Sequence, residues 1–158
     1  MKTTLAIVLY LLAANPAWAS PGASPGASPS IARGKYIVSI AGCNDCHTDG
    51  YVDTGGQVPV EDWLLGSSLG WTGPWGTTYA TNLRLTVPQR TEDQWVKYAR
   101  HLNVPPPMPW FSLRNMTDGD LRSLYRFITS LGADGEAVPK ALPPDQVPEG
   151  PHVTFPAE

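Results

Sequence analysis

Residues 41–50 read AGCNDCHTDG and contain both cysteines of the chain, Cys43 and Cys46, followed directly by His47. These three side chains decide the fold, because each chemistry open to them needs a different protein environment. The candidates are a disulfide, a redox-active dithiol, part of a zinc site, and a point of covalent attachment for a larger cofactor.

Three of these interpretations fit the rest of the sequence poorly. A disulfide between cysteines this close together closes a very short loop, which restricts the unfolded chain little, and it leaves His47 without a role. A thioredoxin-like dithiol needs a βαβ context, and no strand pattern flanks the motif. A structural zinc site needs a fourth ligand, whereas His101 and His152 are isolated in unrelated segments.

The spacing C-x-x-C-H is typical of covalent haem attachment. Two thiols one helical turn apart can add to the two vinyl groups on one edge of a porphyrin, and the adjacent histidine then lies beneath the iron. We therefore predict one haem c, bound covalently by Cys43 and Cys46, with His47 as an axial ligand of the iron.

The second axial ligand decides whether a haem protein moves electrons or binds small molecules. Met108 lies in VPPPMPWF, whose prolines keep the backbone extended and stiff. A weak thioether ligand on a loop requires such a backbone. Met116 precedes the predicted N-cap Thr117, where an apolar side chain packs against its own helix. His101 ends a predicted helix and His152 lies in the C-terminal tail, so we predict Met108 as the sixth ligand.

The two ends of the chain differ in composition from its middle. Residues 1–19 combine Lys2, an apolar run and an A-x-A site, which predicts a secretory signal peptide cleaved after Ala19, or an anchor if it is retained. Without Lys2 the net charge is 10 − 14 = −4, which argues against nucleic-acid binding. The predicted organisation is a signal peptide (1–19), a Pro-Gly-Ala-Ser linker (20–30), one haem-binding domain (31–133) and a proline-rich extension lying on the domain or trailing from it (134–158).

Three segments have helical patterns, and no segment alternates convincingly as a strand does. The predicted N-caps are Ser30, Thr91 and Thr117, and the first and third helices end at Gly42 and Gly132. Residues 51–90 carry only turn-like signals. A long loop is acceptable there if a cofactor fills the middle of the fold, and the alternative is an unrecognised hairpin near residues 77–85.

Two segments, RGKYIVSIAGCNDCHT (residues 33–48) and MPWFSLRNMTDGDLRSLYRFITSL (residues 108–131), resemble the class I c-type cytochromes. The chain is similar to the bacterial single-haem modules that also occur, repeated, in cytochrome subunits of membrane-bound alcohol and gluconate dehydrogenases. The resemblance implies an all-α fold, with three or more short helices and long irregular loops wrapped around one haem. It also implies His47 and Met108 as axial ligands.

The resemblance implies further contacts as well. The terminal helices are expected to cross closely at Gly34, and Tyr36 is expected to meet Tyr125 and Phe127. The segment GPWGTTYATNL (residues 73–83) is similar to the family, but the continuation RLTVPQR replaces an acidic, proline-containing one. Partner docking is therefore not carried over from the family.

Trp75, Asn82 and Arg84 are the predicted contacts with the haem propionates, with Trp63 as the alternative to Trp75 and Arg100 as the alternative to Arg84. Each also has a structural interpretation. A buried indole needs only some acceptor, an asparagine often closes a turn, and an arginine is usually a solvated surface side chain.

The sequence thus predicts an electron-transfer protein of the periplasm rather than an enzyme, with iron cycling between Fe(II) and Fe(III). We expect redox partners, namely a donor dehydrogenase or cytochrome complex and an acceptor such as a terminal oxidase. One alternative is a haem protein with an open sixth site, either ligand-binding or peroxidase-like, and another is a fixed cytochrome subunit of a dehydrogenase complex. We expect a monomer without a transmembrane segment after cleavage.

Overall fold

Six α-helices and one small sheet form residues 28–156, the part of the chain that a computed structural model describes. In chain order the elements are α1 (Ile31–Ile40), α2 (Cys43–His47), β1 (Gly70–Gly73), β2 (Gly76–Tyr79), α3 (Leu83–Thr86), α4 (Glu92–His101), α5 (Trp110–Asn115), α6 (Asp118–Ser130) and β3 (His152–Thr154). The predicted signal peptide lies outside the described residues. Within residues 28–156, no helix has both the length and the apolar composition needed to cross a bilayer.

The three predicted helices are confirmed as α1, α4 and α6, and each begins at its predicted N-cap. The side-chain oxygens of Ser30, Thr91 and Thr117 accept hydrogen bonds from backbone amides in the first turns of these helices. Thr91 and Gln94 also form a reciprocal capping box. After α1, Gly42 adopts a φ of 70°, which ends the helix as predicted.

The all-α prediction is wrong in one respect, because the middle of the chain and the C-terminal extension together form a three-stranded sheet. β1 and β2 are an antiparallel hairpin, and β3 pairs with β1 in parallel, so the strand order is β2-β1-β3. Strands of three or four residues are too short to show alternation. The alternative prediction of a hairpin is confirmed, but its position differs. The hairpin spans residues 70–79 rather than 77–85, and residues 83–86 are helical.

The helices α1 and α6 cross closely at Gly34, as the resemblance implies. A methyl group on Gly34 would lie 2.6 Å from Phe127 Cβ and would overlap the carbonyl oxygen of Ser123. Only glycine allows the two helices to approach this far. Around the crossing lies the core of buried apolar side chains, namely Ile37, Val38, Trp63, Leu64, Val87, Trp95, Val96, Ala99, Leu113, Leu121, Leu124, Phe127 and Ile128.

The aromatic contact expected for Tyr36 is wrong. Tyr36 is 52% exposed, and the guanidinium of Arg33 lies over its ring. The buried residues of α1 are instead Gly34, Ile37 and Val38, and Tyr36 lies on the solvent side. The aromatic partner of Phe127 is Trp63, at 6.2 Å between ring centroids in an edge-to-face arrangement.

The C-terminal extension lies on the domain. We call its described part, residues 134–156, the C-terminal arm. The arm contributes β3 to the sheet and makes a second, isolated bridge between Leu142 and Thr77 of β2. Of the two arrangements predicted for this proline-rich segment, the docked one is confirmed for the described residues.

Candidate functional site

The short helix α2 presents the two thiols and the imidazole of the motif. Positions i, i+3 and i+4 of a helix share one face, so Cys43, Cys46 and His47 point to the same side of α2. Both cysteines are free thiols and half-buried. Burial, followed by the negative charge of Asp45, raises the pKa of Cys43 to about 11 and also raises that of Cys46. Both sulfurs are therefore protonated at neutral pH.

His47 is only 8% exposed, and one of its ring nitrogens already has a partner. Nδ1 lies 2.8 Å from the carbonyl oxygen of Thr81. Because a carbonyl can only accept, Nδ1 carries the proton and donates, and in the neutral ring Nε2 keeps its lone pair. Burial lowers the pKa of His47, an effect that the hydrogen bond to Thr81 opposes in part, so the neutral form is favoured. A carbonyl acceptor on one ring nitrogen is the contact that orients a metal-ligating histidine.

A buried hydrogen-bond network fixes the other face of α2. The backbone amide of Leu64 donates to Thr48 Oγ1, and the Thr48 hydroxyl donates to Asn44 Oδ1, each at 2.8 Å. The amide of Gly66 donates to the carbonyl oxygen of His47, also at 2.8 Å. The sequence analysis missed this network, because a threonine hydroxyl and loop amides leave no periodic signal.

Asn44 Nδ2 has no hydrogen-bond partner, and Asn44 is only 1% exposed. The Thr48 hydroxyl donates to Oδ1, and the NH₂ group is on the other side of the amide. It is the one buried side-chain nitrogen or oxygen within residues 28–156 that lacks a partner. Buried donors in native proteins nearly always find an acceptor, so the motif contains a polar group that the polypeptide alone does not satisfy.

Met108 lies half-buried on the loop between α4 and α5. Thr78 Oγ1, on β2, donates to the carbonyl oxygen of Pro106 at 3.0 Å, and the amide of Trp110 donates to the carbonyl oxygen of Met108 at 2.9 Å. The loop is thus attached to β2 two residues before the methionine. Thr81, whose carbonyl accepts from His47, lies two residues after the end of β2, so one short segment contacts both predicted ligand regions.

Met116 has the packing role predicted for it. Its side chain is partly buried and packs against the main hydrophobic core. Met108 is not among the residues that pack there. This difference supports Met108 rather than Met116 as the methionine available to a cofactor.

Arg84 uses its side chain within the protein. Nε donates to Gly132 at 2.7 Å, Nη2 to Leu131 at 2.7 Å and Nη1 to Glu61 at 2.6 Å, in each case to the carbonyl oxygen. All three nitrogens therefore have partners at 5% exposure. The predicted propionate contact stays a prediction, while the contacts present explain Arg84 as the residue that ties the end of α6 to the middle segment.

Asn82 and Trp75 also have protein partners. Asn82 is 2% exposed; its Oδ1 caps α3, and its Nδ2 donates to the carbonyl oxygens of Asp134 and Glu136 in the C-terminal arm. Trp75 Nε1 donates to the carbonyl oxygen of Trp71 at 3.3 Å. Contacts of these two side chains with propionates stay predictions, and for Asn82 the turn-closing interpretation has direct support.

The remaining histidines lie apart from the motif. His101 and His152 are exposed, and their Nδ1 atoms contact the carbonyl oxygens of Lys97 and Gly150 in their own segments. Within the described residues, no three His, Cys, Asp or Glu side chains converge in a group that could bind a metal ion.

The chain is similar to the fructose dehydrogenase cytochrome subunit of Gluconobacter japonicus, with 29% identity over 138 residues. The aligned region covers 81% of this chain and 26% of that protein, so the chain spans about a quarter of the relative's length. No family model matches the chain, and no solved structure matches it. The similarity to a cytochrome subunit supports electron transfer, rather than catalysis, as the role of this chain.

Proposed function

We propose that this chain is a c-type cytochrome that carries single electrons, with one haem attached to Cys43 and Cys46 and ligated by His47 and Met108. The observation that carries the proposal is the state of His47. It follows two free thiols at the C-x-x-C-H spacing, its Nδ1 proton is donated to Thr81, and its Nε2 lone pair is available. The similarity to a dehydrogenase cytochrome subunit supports the same conclusion.

The residues present fit a haem. Thiols, an imidazole and a thioether are the donors that haem c uses. The unpaired Asn44 amide also fits a motif in which part of the hydrogen bonding is completed by a non-protein group. Haem, once bound, supplies a one-electron Fe(II)/Fe(III) couple whose potential a His/Met ligand pair raises.

The polypeptide contributes position and exclusion of water. Cys43 and Cys46 fix the cofactor to α2, and the Thr81 carbonyl orients the imidazole and increases its basicity as a ligand. The loop that carries Met108 is attached to β2 by the hydrogen bond from Thr78 Oγ1 to the carbonyl oxygen of Pro106. His47 and Met108 would both hold the bound group, which would then supply electron exchange and leave no position for a substrate.

Two settings are open to such a carrier. The predicted signal peptide favours a free protein of the periplasm that passes electrons from a dehydrogenase or cytochrome complex to an acceptor such as a terminal oxidase. The similar protein is a subunit of a fructose dehydrogenase, which favours a fixed place in a dehydrogenase complex equally well. A dehydrogenase that co-purifies with the native chain in stable stoichiometry would decide for the second setting.

The test is an absorption spectrum of the exported protein, followed by denaturation. We expect a low-spin haem spectrum and haem that stays with the denatured chain, because thioether bonds survive unfolding. Cys43→Ala and Cys46→Ala should each leave a single thioether and shift the alkaline pyridine spectrum of the reduced haem, and the double variant should release all haem. Haem lost from the denatured wild type would contradict covalent attachment, and a high-spin ferric spectrum would favour the open-site alternative.

The surface around the motif should steer charged reagents. Between residues 36 and 83 the chain has no Lys or Arg but has five acidic residues, namely Asp45, Asp49, Asp53, Glu61 and Asp62. All five are exposed, and none pairs with a basic residue within residues 28–156. By contrast, the acidic side chains at the starts of α4 and α6 all pair with arginines.

At low ionic strength, a cationic cobalt complex should therefore oxidise the reduced protein about tenfold faster than an anionic reagent of equal driving force. The difference should shrink as salt is added. The double variant Asp45→Asn/Asp49→Asn should reduce this rate difference. The matched double variant Asp145→Asn/Glu149→Gln, which removes the same charge from the C-terminal arm, should reduce it less. Equal effects of the two pairs, measured by stopped flow, would mean that only the net charge matters.

A further inference from the structure

The C-terminal arm contacts the domain at points next to both predicted ligand regions. Its first contact is with Asn82, whose Nδ2 donates to the carbonyl oxygens of Asp134 and Glu136 at 2.8 and 3.2 Å. The residue before Asn82 is Thr81, whose carbonyl oxygen accepts from His47. The arm therefore fixes the residue adjacent to the group that orients the imidazole.

A second contact involves another residue that hydrogen-bonds to His47. Gly66 donates its amide proton to the carbonyl oxygen of His47, and Val138 of the arm packs directly on Gly66. A Cβ atom on Gly66 would come within 2.6 Å of Val138 Cγ1. The arm thus contacts both segments that hydrogen-bond to His47, one at Gly66 and the other at Asn82, next to Thr81.

A third contact lies beside the Met108 loop. The amide and carbonyl groups of Leu142 form two hydrogen bonds with those of Thr77, each at 2.9 Å. The next residue, Thr78, donates to Pro106 in the loop that carries Met108. A Cβ atom on Gly76 would overlap the carbonyl oxygen of Leu142, so the hairpin has a glycine where the arm crosses it.

The end of the arm is anchored by an aromatic contact. The Phe155 ring lies 5.5 Å from the Trp75 ring and 6.1 Å from the Trp71 ring, measured between centroids. The amide of Phe155 also donates to the carbonyl oxygen of Thr72 at 2.8 Å. Contacts of this size order a segment that is otherwise rich in proline and largely exposed.

We infer that the C-terminal arm is a positioning element for the axial ligands, which holds the β1–β2 hairpin and thereby keeps Met108 on the iron. The inference rests on the proposed function, because it assigns a role toward the haem. Its basis is the pair of adjacent positions Thr77–Thr78 and Thr81–Asn82. In each pair one residue contacts the arm and the other contacts a ligand or the ligand's loop.

The test uses the full-length holoprotein with two changes in the arm. Leu142→Pro removes the amide that donates to Thr77, and Phe155→Ala removes the aromatic anchor. Val147→Ala is the matched control, because Val147 lies on the same arm and is 82% exposed. Trypsin cleavage after Lys140 reports whether the arm is docked, independently of any haem signal.

In the double variant we expect faster cleavage after Lys140 and a weaker thioether-to-ferric charge-transfer band. Imidazole added to the ferric protein should bind about tenfold more tightly, the factor that corresponds to 1.4 kcal/mol less competition from Met108. The covalent haem itself should be unchanged, as should all properties of Val147→Ala.

Two results would overturn the inference alone. One is a released arm with an unchanged band and imidazole affinity, and the other is an arm that stays protected from trypsin in the double variant. A wild-type protein without covalent haem would instead contradict the proposed function, and therefore also the inference that rests on it.

Discussion

Met108→Ala should abolish the thioether-to-ferric charge-transfer band and lower the reduction potential, with the haem still covalently bound. The thioether stabilises the ferrous state, so its loss favours the ferric one. His47 would remain as the single protein ligand, and added cyanide or imidazole should then bind the ferric protein readily. Absorption spectra and a redox titration of the purified variant measure all three effects.

Met116→Ala is the matched control for this prediction. Met116 is also half-buried, but its side chain packs against the core, so its loss should leave the band and the potential unchanged. The expected cost is about 1 kcal/mol of unfolding free energy, less than the 2–5 kcal/mol of a fully buried methionine. A band lost in Met116→Ala and kept in Met108→Ala would reverse the ligand assignment.

The sequence predicted the parts of the fold that depend on local signals. The caps Ser30, Thr91 and Thr117 begin the three main helices because their side-chain oxygens satisfy amides only three residues away. The sheet could not be predicted in the same way. β1 pairs with β3 near the end of the chain, and neither strand is long enough to alternate.

The candidate site can be read from the sequence to a similar extent. Spacing alone singles out Cys43, Cys46 and His47, since the proposed haem attachment needs them within one turn of a helix. The partner of His47 is a backbone carbonyl 34 residues away, and every residue type has a carbonyl, so no sequence pattern marks Thr81. The contacts of Arg84 could not be predicted for the same reason, because all three of its hydrogen-bonding partners are backbone carbonyls of distant residues.

Gly34→Ala should destabilise the protein by about 2 to 3 kcal/mol, although alanine is the better helix former. In an exposed helix the change would stabilise by about 1 kcal/mol. At Gly34 the new methyl group overlaps the carbonyl oxygen of Ser123 and lies 2.6 Å from Phe127 Cβ. A backbone carbonyl inside α6 cannot turn aside, so α1 and α6 must separate, and overpacking of this kind costs about 1–3 kcal/mol or more.

Urea unfolding of the holoprotein measures the change in unfolding free energy. The sign of this change shows whether α1 and α6 are in close contact at Gly34. Ala32→Val is the control, because it adds bulk to the exposed face of α1 and should cost no more than about 0.7 kcal/mol through helix propensity. Gly34→Ala should lower the urea midpoint of unfolding much more than Ala32→Val does. A midpoint that rises instead would mean that α1 and α6 are not in contact at this position. The crossing that closes the domain around the motif would then have to be placed elsewhere.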